Sequence, residues 1–130
     1  MNFFKKIFTE NKTTRESKKQ IPWIQLTSLN QLDEILKDSD EKPIAVFKHS
    51  TRCGISRMAL RQFEKKLNID MNSVRLYFLD LLVYREISNE VATRFNVYHQ
   101  SPQLIIFKNG TAIHQSSHHE IDATILGNYI

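Results

Sequence analysis

Three uninterrupted apolar runs of strand length limit what this chain can fold into. Ile44-Ala45-Val46-Phe47, Leu76-Tyr77-Phe78-Leu79 and Leu104-Ile105-Ile106-Phe107 are apolar at every position. Successive strand residues point to opposite faces, so such a run suits a sheet covered on both sides. Between the runs the apolar period becomes helical. Leu29, Leu32, Ile35 and Leu36 make one stripe, and Ile55, Ala59, Leu60, Phe63 and Leu67 a second. Ile87, Val91, Ala92 and Phe95 make a third. Strand–helix–strand followed by helix–strand–hairpin–helix is an α/β pattern, with a mixed central sheet and helices on both faces.

Local signals set the expected boundaries. Trp23–Leu26 reads as a short strand, and Ser28 with Gln31 three residues on reads as a capping box. Pro43 closes the loop before the first apolar run. Val74 to Leu82 is the second strand region, and Ser88 is the expected cap of the third helix. Asn109-Gly110 is a hairpin turn leading into Thr111-Ala112-Ile113, and Ile121 to Ile130 reads as a closing helix.

The length of 130 residues fits one domain. Its net charge of +4 is confined to residues 1–20, which hold six basic and two acidic side chains. The other 110 residues carry twelve of each. A neutral body with a basic tail offers no electrostatic footprint for nucleic acid, so residues 1–20 read as a basic arm and residues 21–130 as the domain. Within the arm, Phe3, Phe4, Ile7 and Phe8 share one side of a helical wheel, and the polar stretch from Thr9 to Gln20 reads as a linker. No stretch approaches the roughly 20 apolar residues that span a bilayer. The start of the chain lacks the continuous apolar core of a secretion signal, so the expected location is cytoplasmic.

Cys53 is the chain's one cysteine, which excludes an internal disulfide or a multi-cysteine metal site within one chain. It stands between a buried strand and a helix, in His49-Ser50-Thr51-Arg52-Cys53-Gly54-Ile55-Ser56. Unpaired N–H groups and the dipole at a helix N-terminus favour a thiolate, and Lys48, His49, Arg52 and Arg57 make the local field positive. The thiolate is the nucleophile of thiol–disulfide exchange, so the placement reads as a redox site; the bland alternative is a small core hydrophobe. His114, His118 and His119 carry no metal-ligand spacing, and no metal is expected.

Ser101-Pro102 immediately precedes the strand Gln103–Phe107. Together with Cys53 at the first helix junction, this resembles the thioredoxin superfamily, and Leu104 to Gly110 is similar to the strand and hairpin that follow the superfamily's proline. The resemblance spans residues 22–130. It implies a thioredoxin-like three-layer sandwich and a cis bond before Pro102, facing Cys53. Two positions depart from thioredoxins. Ser56 replaces the second cysteine, so no dithiol cycle is possible, and Phe47 replaces the buried acid six residues before the thiol.

Lys48-His49-Ser50-Thr51, Cys53 and Ile55-Ser56 resemble the bacillithiol-system YtxJ family of monothiol bacilliredoxins, with Arg52 and Gly54 as differences beside the thiol. The resemblance implies removal of bacillithiol from mixed disulfides on client proteins, with no bound cofactor and bacillithiol as co-substrate. Cys53, Ser56 and Pro102 are then the catalytic positions, with Ser56 donating to the thiolate. Lys48, Arg52, Arg57 and Ser101 are the expected substrate contacts, because the malyl group of bacillithiol carries two carboxylates. A second reading rests on Cys53-Gly54-Ile55-Ser56, one residue from the Cys-Gly-Phe-Ser of monothiol glutaredoxins, which share an iron–sulfur cluster. Against it, Ser116-Ser117-His118-His119 stands where those proteins carry Gly-Gly-Asp. A third reading is a non-catalytic thioredoxin-like adaptor docking through the arm.

Overall fold

A computed structural model describes residues 20–130. The expected arm helix at Phe3–Phe8 and the linker up to residue 19 lie outside the described residues. Five strands form one sheet: β1 (Ile24–Gln25), β2 (Ile44–His49), β3 (Arg75–Asp80), β4 (Gln103–Lys108) and β5 (Thr111–Ser117). Their order is β1-β3-β2-β4-β5; β3 runs parallel to β1 and β2, while β4 is antiparallel to β2 and β5. The helices are α1 (Asn30–Asp38), α2 (Gly54–Lys66) and α3 (Arg85–Arg94).

The central strand β2 is buried at all six positions, and its alternation divides the core. Ile44 and Val46 join Tyr77, Leu79, Ile105 and Phe107 under α1 and α3, which contribute Leu32, Ile35, Ile87 and Val91. Ala45 and Phe47 join Leu76, Leu104 and Ile106 on the other face, under Phe63 and Leu67 and the C-terminal residues Ile121, Ala123 and Leu126. The result is the expected three-layer α/β sandwich with helices on both faces.

Several boundaries differ from expectation, each for a local reason. The α1 capping box is half made. Gln31 Oε1 accepts from the N–H groups of Thr27 (2.8 Å) and Ser28 (3.0 Å), but the Ser28 hydroxyl caps nothing and the helix starts at Asn30. Ser88 is no cap. It lies inside α3, fully buried, because the helix already begins at Arg85. The closing segment is a 3-10 helix over Ala123–Tyr129, after a single turn at His118–Glu120. Asp122 opens it by accepting from Thr124 N–H at 3.0 Å. Three residues per turn aligns Ala123 and Leu126 on the α2 side, while Thr124, Ile125 and Gly127 are modest α-helix formers.

The Asn109-Gly110 turn is present, with φ of 53° and 78°. Both residues therefore occupy left-handed backbone, as a tight hairpin demands. Ser39, at the end of α1, fixes the turn from below by accepting Gly110 N–H on its hydroxyl (2.8 Å) and Asn109 N–H on its carbonyl (2.9 Å).

Phe63 holds α2 to the sheet. It is fully buried, with ring centroids 5.5 Å from Phe47 and 5.7 Å from Trp23. The Trp23 indole in turn donates to Glu64 of the same helix at 2.9 Å. Phe63→Ala is expected to cost about 3–5 kcal/mol, the range for an aromatic removed from a rigid core, read as a lower denaturation midpoint in urea.

Candidate functional site

One end of the sheet collects the chemistry. The chain leaves β2 at His49 and β3 at Asp80, enters β4 at Gln103 and leaves β5 at Ser117. These directions bring residues 50–53, 81–84, 95–102 and 118–120 to the same edge. It is the carboxyl end of the parallel strands, where ligand sites of open α/β sheets form.

Cys53 occupies the N-cap of α2, in extended backbone (φ −101°, ψ 122°) and partly exposed. Its N–H donates to Ser50 O at 3.1 Å, and its carbonyl accepts the first helical bond from Arg57 N–H at 3.0 Å. The sulfur therefore starts a thirteen-residue helix whose first N–H groups have no intrahelical acceptor. The Ser101–Pro102 peptide is cis, and Pro102 is buried. Lys48 pairs with Gln103 in the β2–β4 ladder, so the next position along places Pro102 beside the start of the cysteine loop.

Ser56 is fully buried one turn into α2. Its hydroxyl accepts from Ser50 N–H at 3.0 Å and shares a 2.8 Å hydrogen bond with His49 Nδ1. The expected donation to the thiolate is not the arrangement observed; the strand histidine holds that oxygen instead. Burial is the main influence on His49, pushing it below the ordinary histidine range against the opposing pull of Asp80. His49 was counted in the sequence only as nearby charge. The overlooked signal is its register: it lies two residues after Phe47, so the same alternation turns it towards α2.

Lys48 does not serve as an exposed substrate contact. Alternation turns it to the opposite face, where it is fully buried, its Nζ 3.4 Å from Ser88 O and 3.3 Å from His99 Nδ1. Burial lowers its pKa from 10.5 to about 8. Arg52 and Arg57 remain on the exposed side, with Arg57 Nη1 donating to Thr51 O at 3.0 Å over the cysteine loop. Ser101 is half-buried, and its hydroxyl is shielded with no hydrogen-bond partner among the described residues. Ile55, expected on the buried stripe of α2, is 62% exposed because the first turn projects beyond the sheet. With Met58, Ala59, His118, His119 and Ile121 it lines a groove of about 270 Å³ beside α2. Leu82, Val83 and Tyr98 add apolar surface from the neighbouring loops.

Residues 24–126 match the family model described as monothiol bacilliredoxin BrxC. The chain belongs to the monothiol bacilliredoxin family. It is similar to a solved thioredoxin-fold protein at 33% identity over 81% of this chain and 90% of that one, with a TM-score of 0.67. Thioredoxin from Malassezia sympodialis shares 20% identity over 84% of this chain and 88% of its own, with a TM-score of 0.63. Mitochondrial thioredoxin 3 from Saccharomyces cerevisiae shares 21% over 82% and 91%, at 0.59. The last two likenesses establish the thioredoxin fold. As a bacilliredoxin, the chain is a thioredoxin-like redox protein with a single thiol.

Two outcomes test this geometry. In the unfolded chain Lys48 keeps its proton up to about pH 10.4, whereas the native chain releases it near 8. The unfolded state thus binds more protons in that window, and stability rises with pH. Native protein is expected to gain about 1–2 kcal/mol relative to Lys48→Met between pH 7.5 and 9.5, in parallel urea titrations. At Gly54, an added Cβ meets nothing nearer than Arg57 Nη2 at 3.8 Å. Gly54→Ala is expected to stabilise by about 0.4–1 kcal/mol, seen as a higher thermal midpoint.

Proposed function

We propose that this protein removes bacillithiol from mixed disulfides on client proteins, with Cys53 as the sole nucleophile. The observation that carries the reading is the placement of Cys53: a partly exposed thiol at the N-cap of α2, at the same end of the sheet as a cis-proline, in a chain of the bacilliredoxin family.

Cys53 thiolate attacks the bacillithiol sulfur of the mixed disulfide. A new Cys53–bacillithiol disulfide forms, the client–bacillithiol bond breaks, and the client sulfur leaves as a thiolate that takes a proton from solvent. A second low-molecular-weight thiol then attacks the Cys53 adduct and restores the free cysteine. Each step exchanges one disulfide for another, so no outside oxidant enters. Pro102 and the backbone at Ser101 align the incoming disulfide. Arg52 and Arg57 pair with the malyl carboxylates of bacillithiol, and Lys48, being buried, takes no part. The exposed Ile55, Met58, Val83 and Tyr98 give client proteins apolar surface around the sulfur. Free thiols at a site of this kind fit a reducing cytoplasm.

Intact mass measurement of reduced protein mixed with bacillithiol disulfide tests the reading, with glutathione disulfide run in parallel. A rapid single adduct from bacillithiol disulfide, absent in Cys53→Ser, is expected. Faster reaction with glutathione disulfide would move the assignment to a glutaredoxin-like activity, and no adduct with either would leave the thiol structural. Arg52→Ala combined with Arg57→Ala is expected to slow the bacillithiol reaction about threefold at low salt, in line with two exposed ion pairs.

A further inference from the structure

The α2 face of the sheet is apolar along β2 until its last residue, where a buried histidine meets a buried serine. His49 is 4% exposed, and its ring lies against Phe47 and Phe78 at centroid distances of 6.4 and 5.3 Å. An imidazole enclosed by aromatic rings carries a desolvation cost that a leucine at the same place would avoid. Its 2.8 Å partner, Ser56, is the third residue of α2, while Cys53 is the N-cap. These are the two positions that face each other in a capping box, so Cys53 and Ser56 share one side of the first turn.

We infer that His49 is a positioning residue for the exchange reaction, holding through the Ser56 hydroxyl the proton that Cys53 gives up. The inference rests on Cys53 being the nucleophile. The Ser56 oxygen has two acceptor sites and one proton. Ser50 N–H occupies one acceptor site, and with neutral His49 the hydroxyl donates to Nδ1, which leaves a second acceptor site. Among the described residues no hydrogen bond joins the Cys53 sulfur to Ser56, so the relay closes when the thiol, on the same side of the first turn, rotates onto that site. On ionisation the thiol proton passes to Ser56 Oγ and the original hydroxyl proton passes to His49 Nδ1. The products are a thiolate accepting from Ser56 and an imidazolium donating to it, with no proton gained or lost. Once the sulfur is tied up in the disulfide, the imidazolium loses its partner anion and releases that proton to solvent; when a second thiol later displaces Cys53, the Ser56 hydroxyl donates to the departing sulfur.

The surroundings suit an acceptor that stays neutral until the thiol ionises. Burial holds His49 below the ordinary histidine range, and Arg57 of α2 adds to this. Asp80, its ladder partner on β3, and Glu64 of α2 pull the other way and support the imidazolium once formed. Lys48, the neighbouring cation in sequence, lies on the other face of the sheet. Phe47, which stands where thioredoxins carry a buried acid, cannot accept a proton, whereas the His49 ring nitrogen, two residues further along the same face, can.

The competing account is a strut that merely ties α2 to β2. Alkylation by iodoacetamide across pH 6–10 separates the two, because it reports the sulfur itself whatever disulfide the protein prefers. His49→Gln keeps a polar group within reach of Ser56. It is expected to slow alkylation at pH 7 about threefold and move the rate profile to higher pH. A tenfold smaller thiolate fraction is half offset, on a logarithmic scale, by the greater nucleophilicity of a more basic sulfur. Ser56→Ala is expected to do the same, and the double variant no more than either. Unchanged profiles in folded His49→Gln or Ser56→Ala, or additive losses in the double variant, overturn the relay. The unaltered chain gives a second measurement: capping Cys53 with iodoacetamide is expected to lower the pH at which the His49 ring nitrogens titrate by NMR, and an unmoved midpoint overturns it. Normal His49 effects in a chain inert to bacillithiol disulfide would overturn the proposed function while leaving the relay standing.

Discussion

Everything at the active end depends on β2 being bonded on both edges and covered on both faces. Its six residues pair with β3 from Ile44↔Arg75 to His49↔Asp80 and with β4 from Ile44↔Phe107 to Lys48↔Gln103. Paired on both edges and with no side chain exposed, the strand has no freedom to slip, since a one-residue shift would exchange its two faces. The cysteine loop and the proline loop are attached to this strand and to its β4 neighbour. Their relative position is therefore set by the ladder and not by the loops themselves. Rigid support of this kind is what a reaction needs when three sulfur atoms must line up.

The same strand makes its polar residues consequential. Lys48 and His49 are adjacent in sequence yet belong to opposite cores, each buried at the rim where the sheet meets solvent. A charge buried without a counter-ion costs stability, and a neutral form relieves that cost. Both groups are accordingly shifted towards neutrality by burial. On the α3 side the lysine ties Ser88 of the helix to His99 of the proline loop. On the α2 side the histidine ties the helix that begins at Cys53. Two neighbouring residues thus brace the two sides of one site.

Apolar runs and helical stripes made the fold legible, because burial on both faces of a sheet leaves a pattern that loops do not blur. Cys53 and Pro102 were legible for a related reason: each lies at an element boundary that the pattern marks. Lys48 was misread because a contiguous motif suggests a contiguous surface, while strand alternation sends its members to opposite faces. Ser56 was placed correctly at the turn, but its bond to His49 was not foreseen, since nothing local shows that a residue seven positions earlier will bond it. The closing helix was legible as a helix but not in its 3-10 pitch, which goes with Ala123 and Leu126 packing towards α2, a tertiary effect. Ser88 failed as a cap because Tyr84 N–H bonds Asp80 O and the helix has already begun when Ser88 is reached.

A serine in place of a second thiol changes what the thioredoxin scaffold can do. In a dithiol protein the second sulfur would attack any mixed disulfide formed at the first and expel the client. Here that position holds a hydroxyl, which cannot displace sulfur, and it is buried and bonded twice. A mixed disulfide on Cys53 therefore persists until another molecule resolves it, so the direction of exchange is governed by the thiols outside the protein. A lone thiol of this kind exchanges one mixed disulfide for another and cannot by itself reduce a disulfide outright. The loss of the second sulfur also leaves room, at the third position of α2, for a hydroxyl that bonds to a strand histidine, so the substitution that removes one reaction gives the remaining thiol a polar neighbour.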